Sequence, residues 1–223
     1  MTAFKLDCVL FDLDGTLVDT APDLVACLNL ALQAHGYQQV SDLAVKPFIS
    51  LGALPMIRFA VPAENDSIHQ QLLNWMLDCY QNNIAKHSQF FTGMTETLVA
   101  IENMGLKWGV VTNKRERFTQ PLMAALQLTE RAACVISGDT TAHSKPHPEP
   151  MLTACKLAGV EPQNCVFIGD AKHDIEAGIN ANMKTLVAAY GYINAGDNPE
   201  HWGADGLISH PQQLLNWINT QCH

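Results

Sequence analysis

The sequence predicts an α/β fold: a parallel sheet with helices on both faces, interrupted near its start by an all-helical insertion. Three observations predict it. Six short apolar or β-branched runs recur along the 223 residues. After residue 94 they alternate with helical patterns, the signature of βαβ crossovers. Between the first run and the second lie roughly ninety residues with no convincing strand, far more than one crossover needs.

The first run, Leu6 to Phe11, is apolar enough to be a strand buried on both faces. In the stretch that follows, Leu24, Leu28 and Leu32 fall at i, i+4 and i+8, and Leu72, Leu73, Met76, Leu77 and Tyr80 repeat the helical spacing. Breaks near Pro47, Gly52, Pro55 and Pro62 divide it into three or four helices. Residues 18–88 are therefore expected to form a helical unit inserted into a sheet unit of residues 1–17 and 89–223. Strands are expected at Lys107 to Thr112, Cys134 to Ser137, Cys165 to Ile168, Lys184 to Ala188 and Gly206 to Ile208. The helices between and after them are expected at Thr95 to Met104, Arg117 to Leu128, Glu149 to Ala158, His173 to Ala181 and Pro211 to Ile218. In such a fold, ligands lie at the carboxyl ends of the strands.

Composition narrows the function. Lys and Arg number 13 against 22 Asp and Glu, a formal net charge of −9. With no Lys/Arg-rich run, nucleic acid and anionic membranes are not expected partners. Apolar stretches break off well short of the 18 or so residues of a membrane span. Asp7, Asp12 and Asp14 interrupt what would be the apolar part of a secretory leader, so none is expected. The seven cysteines, Cys8, Cys27, Cys79, Cys134, Cys155, Cys165 and Cys222, contain no C-x-x-C pair. They read as reduced core thiols of a cytoplasmic protein.

Chemistry concentrates at strand ends. Asp12-Leu13-Asp14-Gly15-Thr16 follows the first run directly, with Asp14 where the chain begins to turn at Gly15. A calcium loop also opens D-x-D, but it needs Gly at position 6 and Glu at position 12; here Gly stands at position 4 and Asp23 at position 12. Gly169-Asp170-Ala171-Lys172-His173-Asp174 follows another strand. Alone it reads equally as a helix cap. Paired with the first motif, it makes a carboxylate cluster that requires a cation, and Mg²⁺ fits because every candidate ligand is oxygen and no His/Cys set stands at ligand spacing. Thr112-Asn113 ends a third strand with a hydroxyl, a side-chain amide and N–H groups suited to a phosphoryl oxygen. Lys145 is held in a segment restricted by Pro146 and Pro148. Taken singly, the first of these is an ordinary turn and the second an ordinary surface lysine; the acids are what change their meaning.

In order, DLDGT at 12–16, Thr112, Lys145 and GDAKHD at 169–174 resemble the four motifs of the haloacid dehalogenase-like hydrolases, over essentially the whole chain. The resemblance implies a Rossmann-like core with an inserted all-helical cap. Dehalogenases carry Tyr and P-type ATPases Thr where this chain has Asp14, so an acid here is similar to the phosphatases and phosphomutases. It implies that Asp12 attacks phosphorus and becomes an aspartyl-phosphate, while Asp14 protonates the leaving oxygen and then activates water. Mg²⁺ is implied on the Asp12 carboxylate, the Asp14 carbonyl and Asp170, with Asp174 behind them. Thr112, Asn113 and Lys145 are implied to hold the phosphoryl group.

TLVDTAPD at 16–23 and GVVTNK at 109–114 are similar to phosphoglycolate phosphatases. HSQFFTGM at 87–94, SKPHPEPM at 144–151 and YGYINAGDNPEHWGAD at 190–205 are more similar to N-acetylmuramic acid 6-phosphate phosphatases. The first-ranked substrate is accordingly N-acetylmuramic acid 6-phosphate, from cell-wall (peptidoglycan) recycling, then 2-phosphoglycolate, with a phosphomutase of the β-phosphoglucomutase kind behind both. The partner is a small phosphorylated metabolite, and the chain a monomer or homodimer. His147 departs from the usual Asp of K-P-D-P, and Ala171-Lys172 depart within the fourth motif. Ser50 and Gly52 resemble the cap's specificity loop, and Arg58 is a candidate for a substrate carboxylate.

Overall fold

The computed structural model describes residues 4–194 and 196–221; Cys222 lies outside them. In chain order the elements are β1 (Cys8–Phe11), β2 (Val18–Asp19), α1 (Ala21–Ala34), α2 (Asp42–Val45), a 3₁₀ helix (Lys46–Leu51), α3 (Ala53–Ala60) and α4 (Asp66–Gln81). Then come β3 (Gln89–Phe90), α5 (Met94–Asn103), β4 (Lys107–Val111), α6 (Glu116–Ala125), β5 (Val135–Ile136) and α7 (Glu149–Ala158). β6 (Cys165–Gly169), α8 (Lys172–Asn180), β7 (Lys184–Ala188), β8 (Gly206–Ile208) and α9 (Gln213–Gln221) complete it. Each of the six expected strands is present; α7 matches expectation at both ends, and the other four expected helices differ by one to three residues at their ends, where capping rather than periodicity decides.

Six strands form one parallel sheet in the order β5-β4-β1-β6-β7-β8. Every residue of β1 is buried because both faces are covered. Val9 and Phe11 face a core built with Met94, Leu98 and Ile101 of α5, Leu122 and Met123 of α6, and Leu214 and Ile218 of α9. Cys8 and Leu10 face Met151, Ala154 and Cys155 of α7 and Ala177 of α8 on the other side. Phe11 pairs with Val110 of β4 and Ile168 of β6, so the three central strands end level with one another. The chain runs from β1 outward to β5, then returns to the other side of β1 at β6. This reversal leaves the carboxyl ends of β1, β4 and β6 side by side.

Between β2 and β3 the chain is helical, and it has an apolar core of its own. Leu24, Leu28 and Leu32 of α1 meet Met56 and Ile57 of α3 and Leu72, Met76 and Tyr80 of α4. Ser41 and Asn65 cap α2 and α4 by accepting from the N–H groups of Ala44 and Ile68. One feature departs from the expectation of a strandless stretch. Val18 and Asp19 pair antiparallel with Gln89 and Phe90, a two-residue ribbon where the chain leaves and re-enters the sheet unit. Two residues give no periodicity to read, which is why the sequence does not announce it. Buried Asp23 reinforces this junction, accepting from the N–H groups of His87 and Ser88 and from the Ser88 hydroxyl at 2.7–3.1 Å.

The six described cysteines are free thiols. Burial pushes the Cys134 thiol up to about 12, so it is inert at neutral pH. No helix among the described residues is long and apolar enough to cross a membrane.

Leu28 and Leu30 share α1 but not its environment, at 0% and 46% exposure. Leu28→Ala is expected to cost about 2–5 kcal/mol by urea unfolding, and Leu30→Ala within about 0.5 kcal/mol. Equal losses would show that this helix is not packed as described.

Candidate active site

β1 ends at Phe11, and Asp12 continues the sheet by donating its N–H to the Ile168 carbonyl at 2.8 Å. The chain then folds back: the Leu17 N–H reaches the carbonyls of Asp12 and Leu13, and Gly15 donates to Val18. Gly15 sits at φ +83°, where a side chain would be strained, and a Cβ there would collide with the Asp170 carboxylate. Gly191 is needed for the same reason, since its Cβ would run into the Asp170 side chain and the Gly15 carbonyl. Both glycines let the loop after β1 and the loop after β7 close on Asp170.

Asp170 follows β6 and is buried. Its carboxylate accepts from the Thr16 hydroxyl at 3.0 Å, the Ser50 hydroxyl at 2.8 Å and the Tyr192 N–H at 2.9 Å. Asp174, in the first turn of α8, accepts the Ala171 N–H at 3.1 Å. Oxygens of Asp12, Asp170 and Asp174 lie within 4.8 Å of one another.

Lys145 enters from the loop before α7 and is buried. Its Nζ lies 2.7 Å from Asp12 Oδ1 and 2.7 Å from Asp174 Oδ1, the second contact being an ion pair off hydrogen-bond alignment, and it donates to the Val111 carbonyl at 2.8 Å. Asn113 fixes the lysine's backbone: its amide accepts from the Lys145 N–H at 3.0 Å and donates to the Lys145 carbonyl at 3.1 Å. The Asn113 side chain is thus engaged, while its backbone N–H donates to no acceptor among the described residues. Thr112 is buried at the end of β4, its hydroxyl accepting the Lys114 N–H at 3.2 Å.

Asp14 has partners the sequence did not suggest. Lys114 places its Nζ 3.0 and 3.2 Å from the two Asp14 oxygens, and the Thr20 hydroxyl donates to Oδ1 at 2.6 Å. The same ammonium lies 4.6 Å from the ring centre of Tyr80 on α4, joining the sheet unit to the helical stretch. The only sequence sign of Lys114 was its place two residues past Thr112. Thr16 stood inside the first motif without a role, and nothing singled out Tyr192.

Of the remaining candidates, Ser50 is in the cluster, but Gly52 and Arg58 are not. Gly52 forms the turn between the 3₁₀ helix and α3 at φ +100° and touches none of the acids. Arg58 pairs with Asp66 at 3.1 Å on an exposed face. The two side chains stand at the ends of neighbouring helices, a proximity the sequence conceals. A second ligand-like group also escaped notice: His143, His147 and Glu149 lie within 4.8 Å of one another on the outer surface, with His143 hydrogen-bonded to Glu149 at 2.8 Å. Among the described residues, His87 and Trp202 form hydrogen bonds through their backbone N–H groups and not through their side chains, and His173 Nε2 lies 3.7 Å from Asp174.

Burial pushes Asp12 up to about 6 against the opposing pull of Lys145. Burial, then the charges of Asp12 and Asp174, push Asp170 up to about 8. Burial disfavours the Lys145 ammonium, but Asp12 and Asp174 outweigh it and its pKa rises. Four carboxylates therefore face two ammoniums, and burial together with mutual repulsion holds Asp12 and Asp170 above the usual carboxylate range. An all-oxygen donor set of this charge fits a hard divalent cation.

A family model described as haloacid dehalogenase-like hydrolase matches residues 9–188. The chain is 44% identical over 220 residues to the N-acetylmuramic acid 6-phosphate phosphatase of Pseudomonas aeruginosa, covering 98% of this chain and 97% of that protein. It is 42% identical over 215 residues to a phosphoglycolate phosphatase of Xylella fastidiosa, covering 95% and 94%. The crystal structure of a predicted phosphoglycolate phosphatase from Haemophilus somnus superimposes with a TM-score of 0.85 at 28% identity, over 98% of this chain and 99% of the other.

The raised acids give a pH signature. Between the unfolded value of 3.8 and about 8, native Asp170 keeps a proton that the unfolded chain has released. This contribution to metal-free stability therefore falls as pH rises through that window. In EDTA, the Tm of Asp170→Asn relative to the parent is expected to climb between pH 5 and pH 8. Added Mg²⁺ is expected to raise the parent's Tm more at pH 8 than at pH 5. A Tm difference that stays flat with pH would count against the assignment.

Proposed function

The chain belongs to the haloacid dehalogenase-like hydrolases and is one of their phosphatases, and from that premise we propose that it hydrolyses N-acetylmuramic acid 6-phosphate with Mg²⁺. The observation that carries this reading is the convergence of Asp12, Asp170 and Lys145 at the ends of adjacent strands. Near-full-length similarity to a phosphatase named for that substrate supports the choice of ester.

We assign Asp12 as the nucleophile. Its carboxylate oxygen attacks phosphorus as the ester P–O bond breaks, leaving an aspartyl-phosphate. Asp14 gives a proton to the departing sugar oxygen, then takes one from the water that attacks the same phosphorus and frees Asp12 and inorganic phosphate. The Asp12 carboxylate, the Asp14 carbonyl and Asp170 would hold Mg²⁺, which when bound supplies positive charge to the transferring phosphoryl group. Lys145, the Thr112 hydroxyl and the Asn113 N–H offer that group positive charge and hydrogen-bond donors. Asp174 positions Lys145. Residues 18–88 serve as a cap on the core formed by 1–17 and 89–223, with Ser50 reaching from cap to core and excluding water when substrate binds. The partner is a small phosphorylated metabolite, and the free thiols favour the reducing cytoplasm.

2-Phosphoglycolate is the second reading, favoured by the relatives named for it. Both esters carry a carboxylate. Comparing kcat/KM for the two decides the order: a higher value for N-acetylmuramic acid 6-phosphate is expected, and a higher value for 2-phosphoglycolate would reverse it. Net release of inorganic phosphate is expected in either case and excludes a mutase. Asp12→Asn is expected to lower kcat by about 10³-fold or more, with substrate binding retained by calorimetry. Near-parental activity in that variant would overturn the mechanism.

A further inference from the structure

Both substrates considered above present a carboxylate as well as a phosphate, and the expected reader of that carboxylate, Arg58, is occupied by Asp66 on an exposed face. We propose that Lys46 takes this role: its ammonium binds the substrate's carboxylate while the phosphate occupies the site at Asp12. The inference rests on the reading of the site as a phosphatase for a carboxylated ester.

The charge inventory singles this residue out. Of the chain's 13 Lys and Arg, Lys46, Lys86, Lys107, Arg115, Arg117 and Lys156 have no carboxylate within 4.0 Å among the described residues. The other five are exposed; Lys46 alone is half-buried. A lysine half-buried in this way packs its aliphatic stem, and its ammonium is placed by whatever attracts it. What holds it here is the face of Tyr192, with Nζ 5.1 Å from the ring centre. A ring quadrupole holds a cation without neutralising it, so the charge remains available to an anion.

Its place in the fold puts that charge at the site. Lys46 opens the 3₁₀ helix whose other end carries Ser50, and the Ser50 hydroxyl is bonded to Asp170. The Tyr192 beneath Lys46 donates its N–H to the same Asp170 carboxylate, and its hydroxyl is fixed by Asp19 at 2.7 Å. Lys46 is thus tied to Asp170 by two routes, one through each partner. Lys145 and Lys114 already face carboxylates of the site. Lys46 is the cation there with no anion of its own, and it belongs to the stretch assigned as the cap.

The test compares N-acetylmuramic acid 6-phosphate with N-acetylglucosamine 6-phosphate, the same sugar phosphate without the carboxylated side chain, in the parent and in Lys46→Met and Lys46→Arg. The parent is expected to prefer the carboxylated ester. Lys46→Met is expected to reduce that preference about 10- to 100-fold, the size of a charged hydrogen bond, chiefly through KM. Lys46→Arg is expected to restore most of it. A Lys46→Met enzyme that keeps the parental preference, or that loses activity equally on both esters, overturns this inference and leaves the substrate reading standing. A parent that does not distinguish the two esters overturns the substrate reading first, and this inference with it.

Discussion

The buried ion pairs of Lys145 are the interaction on which the site depends. Two carboxylates about 4 Å apart repel by roughly 4 kcal/mol at an effective dielectric of 20, and the ends of β1 and β6 bring three of them together. One ammonium lies 2.7 Å from both Asp12 and Asp174. It donates hydrogen bonds to Asp12 and to the Val111 carbonyl and attracts Asp174 by charge alone, so one cation holds three oxygens. Because Asn113 clamps the same lysine's backbone, the loop before α7 is tied to the ends of β4 and β1 and the start of α8. Packing alone does not fix that loop, since few of its side chains are apolar and buried.

The sheet explains why these groups can meet. With β1 flanked by β4 and β6 in level register, whatever follows each strand is delivered to one edge. Gly15 and Gly191 then let two loops approach Asp170 more closely than any side chain would permit. Charge enters only after the backbone has made the space. Burial and mutual repulsion push Asp170 up to about 8, a cost of keeping these acids ionised together that a divalent ion would relieve.

How much of this the sequence disclosed follows from the range of each interaction. β1, β4 and β6 were legible because burial on both faces writes an unbroken apolar run. The β2–β3 ribbon was not, because two residues carry no period. Asp12, Asp14, Asp170 and Asp174 were legible as spaced acids directly after strands. Lysines are different: a single lysine looks the same in sequence whether solvated, paired or stacked. Lys145 was found only because two prolines and the acids framed it, whereas Lys114 and Lys46 were missed because their meaning depends on Asp14, Tyr80 and Tyr192. For Arg58 the concealed fact is its partner, since Asp66 lies across the turn between two helices.

An acidic protein that binds an anion has to confine its attraction, and the structure divides that task between its two parts. The cations of the sheet unit at the site, Lys145 and Lys114, stand against carboxylates, so they tune and position those acids before they attract anything from outside. The helical stretch contributes a hydroxyl to Asp170 and a lysine resting on an aromatic face. A carboxylate held against that lysine would replace a weak attraction to a ring with a charge-assisted hydrogen bond. The ring leaves the ammonium's charge uncompensated, so the gain in attraction arises only when an anion arrives. Phosphoryl chemistry common to a family can then stay with the strands, and the choice of ester can be set by a single turn of the inserted helices.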